Sequence, residues 1–399
     1  MGLVLRRLND SRHIALRAEA LAQLEPLPPG PELLEALANV AADSIFAGRA
    51  LEGLGLADRA LVIAAEADLA RPARALGFRG FASCLLGDAG GLNDLRDALV
   101  LAVQAGRGQE AAILYNLLGV CVRNYDGPRS SLQTFQDALE FADARGLREM
   151  MIAIRSSALT SRLGMGDLQE ALDAAVALGE YAEETGDELD LVEIRGVQAA
   201  ALTYRGDASQ AAGFLDEVAA GGQRSGRPDY ITDVVSAAMA HAALGEIEAA
   251  TALLEASEAT PGLDEATEFA LCLPAAVRTA LAMGEPVLAE RLAGHLTPRH
   301  LYAEHALVAV HAALAEARGD TETAAEVYAD AAQRWESFGV VPEQGFALLG
   351  QGRCLLELKR PAESSEALGH AREIFAARGM RPALVETDAL LVDATALSS

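Results

Sequence analysis

The sequence predicts an all-α fold, a right-handed α-solenoid of about nine helix-turn-helix repeats, on three observations. A small residue recurs at Gly53, Gly91, Ser131, Ala171, Ala211, Ala250, Ala289, Ala324 and Ser364, with a period of about 40 residues. Two series of glycine turns interleave with it at the same period. The composition, 51% hydrophobic with only 5% aromatic, suits closely paired helices rather than sheets. Repeats of this length are the signature of stacked supersecondary units, each too small to bury its own apolar face alone.

Taken in order, residues 10–25 read as an amphipathic helix with Ile14, Leu16, Ala20, Leu21 and Leu24 apolar. The run Pro26-Leu27-Pro28-Pro29-Gly30-Pro31 ends it. Residues 1–31 are therefore expected to cap the array, or to begin inside a longer protein. Residues 32–380 form the repeat array, and 381–399 a closing helix and tail.

One unit shows the pattern. Leu147 to Leu163 is a leading helix, Gly164-Met165-Gly166-Asp167 a turn, Leu168 to Thr185 a trailing helix, and Gly186-Asp187 the joint to the next unit. Gly supplies the left-handed residue after a helix, and the following Asp is expected to cap the next N-terminus. The first turn recurs at Gly87, Gly127, Gly206, Gly245, Gly284 and Gly319, the joint at Gly106, Gly146, Gly226, Gly339 and Gly379.

The recurring small residue is expected to let the two helices of a unit approach closely. A larger companion four residues on (Leu95, Phe135, Leu215, Leu254, Tyr328, Leu368) shares its face and is expected to fill the interface with the next unit. The period breaks between Ser257 and His300, where Pro274 is expected to interrupt Leu263–Met283 and Pro286–Leu296 is short. This stretch is the candidate for a bend.

A Gly-Asp turn, a small residue, then bulky and small residues four and seven further on resemble the tetratricopeptide (TPR) pattern. Gly319-Asp320, Ala324, Tyr328 and Ala331 carry it, as do Gly352, Lys359-Arg360-Pro361-Ala362, Leu368 and Ala371. The period of 39–40 departs from the usual 34. With the segments Leu24–Pro31 and Ala371–Leu391 it is similar to the TPR-like superhelical region of large bacterial signal-transduction ATPases. That group includes the MalT-type and other LuxR-type regulators and the cyclase-fused ATPases. The resemblance implies a sensing or scaffolding arm without the ATPase, DNA-binding or cyclase modules.

The formal charge of −26 argues against direct binding to nucleic acid or an anionic membrane. The single lysine, Lys359, lies outside any Gly-rich loop, which removes a P-loop. Cys84, Cys121, Cys272 and Cys354 have no Cys-x-x-Cys partner and read as reduced core residues. No signal peptide or membrane span is evident, so the expected location is the cytoplasm.

There is no G-x-S-x-G or H-E-x-x-H motif, and His295, His300, His305 and His311 do not stack at metal-ligand spacing; they read as surface histidines near the irregular unit. No cofactor and no catalysis are expected. The acids Glu170, Asp173, Glu180, Glu183 and Glu184 read as a solvated trailing face.

Leading helices line the concave face in TPR-like arrays, so the resemblance puts Arg123, Arg155, Arg162 and Arg195 in a groove. There they can grip a carboxylate or phosphate, or else pair with neighbours such as Glu149 and Glu193. Asn116, after Tyr115, stands where groove amides of TPR proteins hold a peptide backbone. The function expected is a non-catalytic scaffold with a protein or peptide in the groove. The alternative is an effector sensor binding a small ligand there.

Overall fold

The computed structural model describes residues 12–186, 188–225 and 230–397. The predicted joint at Gly226, Asp187 of the Gly186-Asp187 joint, the first eleven residues of the predicted cap and the last two of the tail lie outside the described residues. Among those described, every regular element is helical.

A first helix, α1 (Arg12–Leu24), precedes nine helix pairs. The first three are α2 (Pro31–Phe46) with α3 (Ala50–Glu66), α4 (Ala73–Leu85) with α5 (Gly91–Gln104), and α6 (Gly108–Asp126) with α7 (Pro128–Asp143). Then come α8 (Arg148–Met165) with α9 (Leu168–Thr185), α10 (Glu188–Arg205) with α11 (Leu215–Ser225), and α12 (Ile231–Ala243) with α13 (Ile247–Glu258). The last three are α14 (Phe269–Ala282) with α15 (Pro286–His295), α16 (Leu301–Ala317) with α17 (Thr321–Phe338), and α18 (Val341–Glu357) with α19 (Pro361–Arg378). Helix α20 (Arg381–Leu397) closes the array. The architecture is the predicted α-solenoid of TPR-like pairs.

Both glycine turn series have positive φ at their described members, the region in which a Cβ is strained. Lys359 occupies the glycine position of the last unit at φ 60°. The acids after these glycines do not cap as expected. Asp167 and Asp320 make no side-chain capping bond, and Asp167 bonds instead to an arginine of a distant unit.

All nine recurring small residues are buried. Ser131 Oγ donates to the Gly119 carbonyl and Ser364 Oγ to that of Gly352, each at 2.8 Å and each to the leading helix of its own unit. The close approach within a unit therefore includes a satisfied polar contact. The companions differ from expectation. Phe135 and Leu368 fill the space left by Gly119 and Gly352 of their own units, whereas Tyr328 packs on Gly350 of the next.

Two departures are local. The trailing helix of the fifth pair starts only at Leu215; residues 208–210 form a 3₁₀ turn, so Ala211 lies in irregular chain. Gly213 weakens a helix there by roughly 1 kcal/mol relative to Ala. Pro274 sits inside α14 without ending it, and the expected interruption falls earlier, around a 3₁₀ turn at Leu263–Glu265.

The superhelix returns onto itself after about five units. A Cβ on Gly87 would overlap the Arg299 carbonyl oxygen, and one on Gly127 that of Phe338. Asp167 Oδ1 accepts from Arg378 Nη1 at 2.6 Å across 211 residues. Arg381 bonds the Arg205 carbonyl at 2.6 Å and the Asp207 carboxylate. Leu163, Leu168 and Tyr204 join the apolar cluster of Leu349, Leu368 and Phe375. The turns of units two to five thus dock on the joints of the last units, so leading helices face one another across the inside of the closed turn, its lumen.

Candidate functional site

Among the described residues, polar side chains from several leading helices meet on this inner side. Arg278 of α14 meets Glu343 of α18 in a bidentate pair, Nη1 to Oε2 at 2.5 Å and Nη2 to Oε1 at 2.8 Å. Its guanidinium lies 4.1 Å over the Phe346 ring, and Tyr204 of α10 packs on the same ring at 5.9 Å. Burial works against the Arg278 charge, but Glu343 outweighs it and raises the arginine's pKa. The pair is geometrically complete around a buried Glu343 and a partly exposed Arg278, which offsets the desolvation of the acid.

Arg123 of α6 lies in the same lumen with the opposite balance. It is 5% exposed, and its Nε has no hydrogen-bond partner among the described residues. Burial dominates and lowers its pKa; the fields of Glu268, Tyr302 and Glu193 fall short of restoring it. Tyr302 of α16 is 6% exposed, and its hydroxyl pKa is raised by burial and then by Glu343, so it stays protonated. Burial likewise raises Cys272, with Asp233 of α12 adding to it.

At the rim of this lumen His300 caps α16, its Nδ1 accepting the Ala303 N–H at 3.2 Å. Its ring lies 6.1 Å from Tyr125 of α6. Burial, then the Arg123 charge, lowers the His300 pKa to about 4. His305 is also buried, edge-on to Trp335 and Phe338. These two are not the surface histidines expected from the sequence: closure of the superhelix covers the first, and the α17 aromatics the second. No group of three or more His, Cys, Asp or Glu among the described residues is placed to hold a metal ion.

The five residues singled out from the sequence separate. Asn116 and Arg123 lie seven apart on α6, and the Asn116 Oδ1 is likewise buried without a partner. Arg155 is exposed. Arg162 pairs with Glu170 of its own trailing helix at 2.8 Å. Arg195 binds Glu183 at 2.6 Å and also Glu217, both on trailing helices. Those arginines are matched to the acids Glu170, Glu183 and Glu217 rather than to Glu149 or Glu193. The trailing acids named from the sequence are exposed.

Sequence reasoning missed Arg278, Glu343, Tyr302 and Asp233. Arg278 carried one signal, its place on a leading helix. Glu343 carried none, since its partner is 65 residues away. The four cysteines are free and buried, as expected. Among the described residues no helix is long and apolar enough to cross a membrane.

The chain matches no protein-family model and no curated protein sequence. Its path is similar to that of solved helical-repeat structures. A Rap protein complexed with competence and sporulation factor aligns over 92% of this chain and 99% of its own, at 10% identity and a TM-score of 0.46. Yeast Tom70 aligns over 98% of this chain and 94% of its own, at 12% identity and a TM-score of 0.38.

Proposed function

We propose that this chain is a non-catalytic regulatory module, the sensing arm of a bacterial signal-transduction or transcription regulator in the cytoplasm. Its effector is a small molecule bound inside the closed superhelix. The observation that carries this reading is Arg123: a nearly buried cation whose Nε has no hydrogen-bond partner among the described residues, on the inner side of the superhelix. An unsatisfied buried group is costly, and a ligand that satisfies it is correspondingly favoured.

The second reading, a scaffold holding a protein or peptide in the concave groove, needs the superhelix to open. What favours it is the character of the closure, which includes the partly exposed ion pairs Asp167–Arg378 and Asp207–Arg381. Such pairs contribute only about 0–1 kcal/mol each.

One experiment separates the readings. The intact chain and an Arg378→Glu/Arg381→Glu variant are screened by thermal shift against small metabolites and short peptides. Sensing in the closed lumen expects a small compound to raise the parent's melting temperature and to act less on the variant. Groove binding expects peptides to bind the opened variant more tightly than the parent. If neither class shifts either protein, the inner face is not a binding surface.

A further inference from the structure

We infer that Arg123 anchors a subsite for the carboxylate group of a small organic acid; the inference rests on the reading that binding occurs inside the superhelix. The requirement for an anion follows from Arg123 itself. Its guanidinium is held at 5% exposure, its Nε has no acceptor among the described residues, and no carboxylate is close enough to overcome burial. In the same lumen Arg278 shows what a satisfied arginine looks like here, with both carboxylate oxygens of Glu343 within 2.8 Å. The missing partner of Arg123 is an acceptor for its Nε–H, and a carboxylate, a planar two-oxygen acceptor, suits the planar guanidinium.

The surroundings select charge as well as shape. Glu268 and Glu193 both act on Arg123, and Glu343 and Asp233 act on Tyr302 and Cys272 beside it. A dianionic phosphate meets this negative field twice over, a monoanionic carboxylate once. Tyr302, whose hydroxyl stays protonated, supplies a further donor near the same point. Asn116 lies two turns back on the Arg123 face, with a buried, unpartnered Oδ1. The two residues stand about 10 Å apart along the α6 axis, and an acid that carries a hydrogen-bond donor beyond its carboxylate can meet both side chains. N-acetylglycine carries such a donor, its amide N–H, whereas acetate and benzoate carry none.

The test uses calorimetry and thermal shift on the full chain with acetate, benzoate, N-acetylglycine and inorganic phosphate as probes, at low ionic strength. The parent is expected to bind at least one carboxylate and to melt higher with it, while phosphate has little effect. In Arg123→Met the affinity falls at least about tenfold. The unliganded variant melts no lower than the parent, because an unpaired buried charge is gone. Arg123→Lys keeps the charge but loses the fork, and recovers only part of the binding.

A carboxylate shift that survives in Arg123→Met overturns the inference and leaves sensing inside the superhelix standing. Phosphate binding more tightly than every carboxylate also overturns it alone. An Arg123→Met variant that melts several degrees below an unresponsive parent makes Arg123 structural, and removes the inference together with the reading beneath it.

Discussion

Arg278 and Arg123 occupy one lumen and reach opposite electrostatic outcomes. Arg123 is almost wholly removed from water, while the Arg278 side chain keeps about a quarter of its exposure. Arg278 has a bidentate acid from α18, so its charge is held more strongly than in water; Arg123 has only more distant fields, so its charge is penalised. The difference separates a strut from a socket. A completed pair fixes two leading helices against each other, whereas an incomplete one leaves bonding capacity for something outside the chain.

The contrast is most easily broken at the strut. Glu343→Ala leaves the partly exposed Arg278 without its bidentate acid and is expected to cost about 1.5–3 kcal/mol. A denaturant midpoint unchanged from the parent would show that the pair does not hold the lumen together.

Acid should act at the rim. His300 has a folded pKa of about 4, below its unfolded value of about 6.5. The unfolded state therefore binds more protons between these limits. The contribution of neutral His300 is fully present above about pH 6.5 and is lost as pH falls toward 4, by up to about 3 kcal/mol. Protonated Nδ1 also cannot accept from Ala303, so the cap is lost with the charge balance. His300→Asn keeps a cap acceptor and should flatten the stability–pH curve over that range; an equally steep curve in the variant assigns the acid sensitivity to other groups.

Ordinary joints offer a control remote from either arginine. Ala171 is fully buried between the helices of its unit, and Ala171→Trp should overpack it by about 1–3 kcal/mol or more. A thermal melt that overlays the parent's would remove the small residue's role as a packing joint. The smallest effect runs the other way. Lys359 sits at φ 60°, where every other described turn of its series has glycine. Lys359→Gly should stabilise by about 0.5–1 kcal/mol in urea unfolding. A loss of stability would mean that the lysine side chain matters more than its backbone strain.

The helix pairs were legible because their signals are local: a small residue, a left-handed glycine and an apolar face all lie within one period. The closure was not, because Asp167 and Arg378 are 211 residues apart and neither carries a local mark of the other. The same limit explains the candidate arginines. Spacing along α8 and α10 says which residues share a face, not whether that face meets a trailing helix or the lumen. Arg162 and Arg195 turn to trailing acids, while Arg123, read by the same rule, is inside. The fifth unit's late helix start was half visible in Gly213, and the buried histidines were hidden by contacts with units far along the chain.

The 211-residue span of the Asp167–Arg378 contact also sets a delay. At about 5–20 residues per second, ribosomal synthesis leaves the inner faces of the early units waiting roughly 10–40 s for the units that will cover them. During that interval a nascent half-superhelix exposes Leu163, Leu168 and Tyr204, which the finished chain buries or half-buries. Synthesis of this protein therefore has a vulnerable middle: a chain stalled or truncated before α18 is a candidate for chaperone capture or aggregation, even though each helix pair behind the stall is already formed.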